Sequence, residues 1–584
     1  MNQSLPRASW TPRLAIIVIS LFSMVLCVGV FIPAFVDDIL YIVTNNRAGY
    51  DGWQSINVFP QCRTDFAMAI PLTLLPGKAW LWAVHLLISD FYSLRLTTLF
   101  VFVSWIAYTA WFLKRCLLPA QPWPIILAGV LGVVGLGTLP FALLLGRPET
   151  SMIFAVTFFT SMPFVIDTYP RPARWIVALS ALVFFLIASL FLSLHGKAVF
   201  FIPALMVSAF HFHRWHKIAG LLLSAIIAIT CWQAVSSWHQ GIACPDSSIA
   251  RATMDQAVTL PSLFLENNVL FWRELIYNLT VLNAYIWEIT LPRGGWWLPD
   301  FMHSAAIGAL PRGMLFVLAA LHTVLWAVTT LFLIIIGLRL LFFIAAGLYS
   351  VVCGAVTRHS RIRFDLLLPF CLLAACLAQC ATQSEKVFYH VSLIWVTLVL
   401  SGMTLAGYLL KYTDYWNTHA RDLGQSYRIL LMVATLSQCA LLFTYVPATL
   451  LMLREPAPNG IIQFMAGGKA HWKGTLIAEQ NFDETRKHIV NAARLCRIPA
   501  DRSGRHLVVD EFTYFALKTT YQPFLSLYLF KEFDDPQKLF AFLHRRQSSG
   551  LVTLCASLPE KIRPFAKESG GVCCIPREQI NSGL

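Results

Sequence analysis

The chain has 584 residues, of which 57% are hydrophobic and only 13% charged, and its mean hydropathy is +0.64. Soluble domains carry about a quarter charged residues, so this composition excludes an ordinary soluble enzyme and reads as a polytopic membrane protein. The net charge of +14 does not point to nucleic acid, because Lys and Arg fall in short loops between apolar stretches, where they set orientation in a bilayer.

The first apolar stretch, 14–35, follows Arg7 and Arg13 and has the length of a membrane span, about 20 residues. It ends in Pro33-Ala34-Phe35 without a small-x-small cleavage site. An uncleaved first helix with a cytoplasmic N-terminus is therefore expected. Directly after it comes Val36-Asp37-Asp38-Ile39-Leu40-Tyr41. Carboxylates at the edge of the hydrocarbon are costly unless water, a cation or a partner compensates them. Asp37 and Asp38 are thus either a solvated helix end or part of a site at the membrane surface.

Further spans are expected at 94–113, 124–145, 151–167, 175–194, 197–213, 218–236, 314–337, 364–382, 387–410 and 428–450, about eleven in all. With the N-terminus inside, the inner loops carry Lys114-Arg115, Arg171 with Arg174, Arg214 with Lys217, Arg358 with Arg361 and Arg363, and Lys411 with Arg421. The short outer loops carry only Arg147, Lys197 and Lys386, as the positive-inside rule requires. Leu340 to Val356 is apolar as well. A twelfth span there would turn the arginines that follow it outward, so it reads as an interfacial or re-entrant segment. Two long outer loops, 36–93 and 237–312, are rich in Trp, and Ala79 to Ile88 is amphipathic enough to lie in the interface.

The expected division is a transmembrane domain, 1–452, and a C-terminal α/β domain of soluble composition, 453–584, which is periplasmic by span parity. In the latter, His506–Val509, Leu551–Ala556 and Gly571–Ile575 read as strands, and Phe482–Leu495 and Leu558–Glu568 as helices. The chain has 14 cysteines, and none shows zinc-ligand spacing. Cys27, Cys231, Cys353, Cys371, Cys376, Cys380 and Cys439 lie in or beside spans as packing residues. Some of Cys496, Cys555, Cys573 and Cys574 are expected to be bridged in an oxidising compartment.

The informative polar groups all fall on the outer side. Asp37 and Asp38 follow the first span. Gly146-Arg147-Pro148-Glu149 joins the third and fourth, His195-Gly196-Lys197 the fifth and sixth, and Gln383 to His390 the ninth and tenth. The spans themselves read as almost free of ionisable residues, unlike an ion-coupled transporter. Carboxylates and cations together at this depth suit glycosyl transfer from a lipid-phosphate sugar. Cations hold the phosphate, and a carboxylate takes the acceptor's proton.

On these features the chain resembles the GT-C superfamily of integral membrane glycosyltransferases. The matching features are the acidic pair in the first outer loop, the number of spans and the outer C-terminal domain. Val36-Asp37-Asp38 with Tyr41, and Arg147-Pro148-Glu149, look most like bacterial, arabinosyltransferase-like members. The resemblance implies an all-α polytopic fold in the inner membrane and a polyprenyl-phosphate sugar donor. The acceptor would be a cell-envelope glycan or glycolipid, and the general base Asp37, with Asp38 second. Arg147, Lys197 and Lys386 are candidate phosphate contacts. Glu149, His195, Tyr389 and His390 are candidates for orienting donor or acceptor. No organic cofactor is implied. Some members use a divalent cation, and the adjacent carboxylates leave that open. The rival readings are a flippase for lipid-linked sugars, which needs a polar path through the spans, and a non-catalytic assembly subunit.

Overall fold

The computed structural model describes residues 11–30, 91–145, 148–242, 265–290, 311–352, 360–382, 388–412, 416–454, 482–499, 507–509, 517, 533–545, 548–555 and 558–582. The helices up to residue 454 are α1 (Thr11–Val30), α2 (Phe91–Phe112), α3 (Trp123–Val134), α4 (Leu139–Leu144), α5 (Pro148–Thr168), α6 (Arg174–Leu194), α7 (Ile202–Phe210), α8 (Lys217–Ile242), α9 (Asn268–Thr290), α10 (Arg312–Val352), α11 (Ser360–Thr382), α12 (Phe388–Tyr412) and α13 (Trp416–Arg454). A chain surrounded by hydrocarbon must satisfy its own backbone, and a helix does so within one segment. Eight segments among the described residues are long and apolar enough to cross a membrane. The other three expected spans fall on α3 with α4, on α10 and on α11. Up to residue 454 the protein is thus an all-α polytopic membrane protein.

Three expectations are corrected. The third span is broken: α3 stops at Val134, and α4 begins only at Leu139. Gly137 in this link has φ +50°, a conformation that disfavours residues with a β-carbon. The second correction concerns Leu340 onward, which is not a segment of its own. It continues α10, a 41-residue helix with no proline at which to turn back. At about 1.5 Å per residue such a helix is roughly twice as long as the hydrocarbon is thick. Third, the outer loop 237–312 contains the 23-residue helix α9, which packs against α11 and α12. Arg273, Glu274 and Glu288 lower its hydropathy below that of a span.

Packing follows small residues and aromatic rings. Gly129, Gly132 and Gly135 line one side of α3 and its end. They meet Tyr427, Leu430 with Leu431, and Gln438 of α13 in turn, leaving no room for a β-carbon beside Gln438. Close approach over small residues is how helices associate where lipid is as apolar as leucine. Phe159 of α5 packs its ring against Phe184 and Phe191 of α6.

The C-terminal part contains α14 (Phe482–Leu495), β1 (Leu507–Val509), α15 (Pro536–Arg545), β2 (Gly550–Leu554), β3 (Lys567–Ser569), β4 (Val572–Pro576) and α16 (Arg577–Ser582). The sheet order is β1-β2-β4-β3, with β1 parallel to β2 and the other neighbours antiparallel. Side chains on a strand alternate between faces. On β4, Val572 and Cys574 therefore join Ile489, Ala492 and Ala493 of α14 in one core. Cys573 and Ile575 join Leu539, Phe540 and Leu543 of α15 in the other. The adjacent cysteines point in opposite directions: Cys574 bridges to Cys496, just after α14, and ties that helix to the sheet, while Cys573 bridges to Cys555, just after β2, and ties two neighbouring strands. The helix expected at Leu558–Glu568 is instead a turn, a short 3₁₀ segment at Arg563–Phe565, and strand β3. Pro559 and Pro564 remove two helix donors there. Gly570 and Gly571, at φ +57° and +79°, then close the β3–β4 hairpin.

Candidate functional site

The site is built around the end of α4. Gly29, near the end of α1, lies against the side chains of Leu144 and Phe141. The carbonyls at the end of α4 lack donors within their own helix. Side chains of neighbouring helices supply them. Arg95 of α2 donates from Nη1 to the Leu144 carbonyl at 2.8 Å, and Thr150 of α5 donates from Oγ1 to the Leu143 carbonyl at 2.7 Å.

The next helix, α5, starts with Pro148, whose fixed φ suits the first helical position. Glu149 follows in its first turn, where negative charge is favoured by the helix dipole. Its Oε1 accepts a hydrogen bond from Lys197 Nζ at 2.9 Å, and the two side chains are only 3% and 2% exposed. Lys197 comes from the 3₁₀ turn Gly196–Phe201 between α6 and α7. His195 caps that turn, its Nδ1 accepting the Lys197 backbone N–H at 3.1 Å. Burying either charge alone would be prohibitive, and each offsets part of the cost of burying the other.

Two of the candidates, Glu149 and Lys197, are thus brought together, with His195 beside them. Asp37, Asp38, Arg147 and Lys386 lie outside the described residues, and so do the side chains of Tyr389 and His390 in the first turn of α12. The described elements fix where those segments start. Asp37 is seven residues beyond the end of α1, and Arg147 directly precedes α5. α11 runs from Asp365 at the opposite end of the bundle toward Thr382, packing on the turn that holds Lys197, and α12 packs on α4.

At that opposite end lies a second buried polar centre. Asp365 of α11 is fully buried and accepts from Arg214 Nη2 at 2.6 Å, and its Oδ1 is 3.0 Å from His211 Nε2. Arg214 also donates from Nη1 to Asp167 of α5 at 2.9 Å. The other nitrogen of His211, Nδ1, is 2.7 Å from the Val207 carbonyl. The expectation that the spans are almost free of ionisable groups is therefore corrected. Arg95, Asp167, His211 and Asp365 all fall within the expected limits of spans. An ionisable residue inside a span is itself a signal of a buried partner, and it would have picked out Arg95 and Asp365.

Among the described residues, Cys555, Glu568 and Cys573 approach one another closely enough to hold a metal ion, but the two cysteines are joined in a disulfide. Neither offers the thiolate that a metal needs.

No family model matches the chain, and no curated protein matches it. Among solved structures, the chain is similar to ArnT from Cupriavidus metallidurans, crystallised with undecaprenyl phosphate. The two are 10% identical, with a TM-score of 0.44, over 96% of this chain and 97% of that one.

Proposed function

We propose that the protein is a membrane glycosyltransferase that moves a sugar from a polyprenyl-phosphate donor to a cell-envelope glycan or glycolipid at the outer face of the inner membrane. The observation that carries this reading is the buried Glu149–Lys197 pair, near the end of α4 against which Gly29 of α1 lies, eight residues before Asp37 in the sequence. Arg147, next to Pro148, and Lys386, between α11 and α12, are the cations assigned to the donor phosphate. A planar guanidinium suits bidentate contact with phosphate oxygens. Glu149 and Lys197 fix each other, so they shape the wall of the site. His195 holds the turn that carries Lys197, and Tyr389 and His390 orient donor or acceptor. Asp37 takes the proton of the acceptor hydroxyl as the sugar leaves the phosphate, and Asp38 is its alternate. The C-terminal domain, from residue 453, lies on the same outer side.

The test is turnover of a defined polyprenyl-phosphate sugar by purified protein. Asp37→Asn keeps the size of the side chain and removes its basicity. It should lower the rate by about 10²–10⁴-fold with donor binding retained. Near-normal turnover in Asp37→Asn, Asp38→Asn and the double variant would sink the assignment.

A further inference from the structure

Gln438 of α13 is 0% exposed, and neither its amide nitrogen nor its amide oxygen has a hydrogen-bond partner in the protein. A buried primary amide with no partner is costly, and a helix bundle in lipid has no bulk water with which to relieve it. The surroundings of this amide are polar and irregular. It lies across Gly135, in the space that a β-carbon there would occupy, beside the Leu131 carbonyl. Gly135 ends α3, and the link from Gly135 to Thr138 is not helical.

A broken helix leaves backbone groups that its own turns no longer serve. Neighbouring side chains serve two of them. Gly137 N–H donates to Ser437 Oγ at 2.6 Å, and Val133 C=O accepts from Trp395 Nε1 at 3.2 Å. Gln438 is the next residue after Ser437 and faces the same break, yet its donors and its acceptor are unmet.

We propose that the link Gly135–Thr138 and Gln438 form a site for ordered water sealed inside the helical bundle. Water fits the chemistry because the amide needs a ligand that both accepts and donates, and a buried water makes two to four such bonds. A bare cation would satisfy only the amide oxygen and would be repelled by the amide N–H groups. The site lies at the joint between α3 and α4. Beyond that joint, α4 presents Leu143 and Leu144, whose carbonyls hold Thr150 and Arg95.

The experiment is a cryo-electron-microscopy map of the full chain in lipid nanodiscs, at a resolution that shows ordered water, together with thermal unfolding of the wild type and of Gln438→Leu. The wild-type map should show a peak within hydrogen-bonding distance of the Gln438 amide. Gln438→Leu should lose that peak and melt at a lower temperature. An empty site in the wild-type map would overturn the proposal, whatever the variant does. So would a higher melting temperature for Gln438→Leu, since removing an unsatisfied amide is stabilising. A melting temperature raised by sodium over choline chloride in the wild type, and not in the variant, would assign the site to a cation and overturn it as well.

Discussion

Replacing Lys197 by methionine removes the positive charge beside Glu149 and keeps most of the side chain's volume. Both side chains are almost completely buried, and their charged atoms are 2.9 Å apart. Removing one partner of a buried ion pair costs about 3–5 kcal/mol. Glu149→Gln should cost a similar amount for the same reason. The double variant Glu149→Gln/Lys197→Met removes both charges of the pair and should recover most of the loss, because an ion pair is close to neutral against an apolar replacement. The assay is reversible unfolding by SDS titration in mixed detergent micelles, run as a double-mutant cycle with turnover of a polyprenyl-phosphate sugar measured in parallel. Stability should return in the double variant while turnover stays low, since the wall of the site has lost its polar groups. Additive losses in the cycle would refute the pairing. Full turnover in the stable double variant would refute the functional role and leave a structural ion pair.

At the opposite end of the bundle, Asp365→Ala should lower stability by about 1–3 kcal/mol, because Arg214 and His211 lose a buried acceptor while Arg214 keeps Asp167. The same titration measures it, and a loss below 1 kcal/mol, a value typical of exposed pairs, would contradict the burial. In the C-terminal domain, alkylation of unreduced, denatured protein should leave Cys496, Cys555, Cys573 and Cys574 unlabelled. Breaking either disulfide should cost about 2–4 kcal/mol. The bridge closing 78 residues should matter more than the one closing 18, because the longer loop constrains the unfolded chain more. A periplasm-active reporter fused after Leu584 should be active, and activity of a cytoplasmic reporter alone would invert the proposed sidedness.

Much of the fold is legible in the sequence because hydrocarbon admits few solutions. An apolar run of span length must be a helix, so α2, α5, α6, α8 and α13 follow from composition alone. The same reasoning fails where a helix is not uniformly apolar. Arg273 and Glu274 conceal α9, and Gly135-Leu136-Gly137 is too short an interruption to divide the apolar run 124–145. Leu340 onward misleads for the opposite reason: its hydropathy suggests an element of its own, and it is one end of α10. In the C-terminal domain, alternation within Val572-Cys573-Cys574-Ile575 is enough to suggest a strand. The partner each cysteine meets depends on how α14 and β2 pack against β4, which sequence spacing does not place.

The site was legible as a set of loops and not as a set of contacts. Glu149 and Lys197 are 48 residues apart, and His211 and Asp365 are 154 apart. No local pattern says that either pair meets. Depth is the property that can be read locally, since each group stands at a known distance from the end of a hydrophobic run. Depth sorts the polar residues into two ends, and the structure then pairs them within each end. The ion pair at the Glu149 end also changes what its cation can do. Lys197 read alone is a candidate for lipid phosphate, but beside Glu149 its charge is already matched inside the protein. In the proposed reaction the charge that meets the anionic donor comes from Arg147 and Lys386, in the segments that α5 and α12 follow. If that division of labour holds, Arg147→Ala and Lys386→Ala should weaken donor binding without unfolding the protein, and Lys197→Met should do the reverse. Donor affinity measured on folded protein separates the two. Equal losses of affinity in all three variants would show that Lys197 also reaches the phosphate.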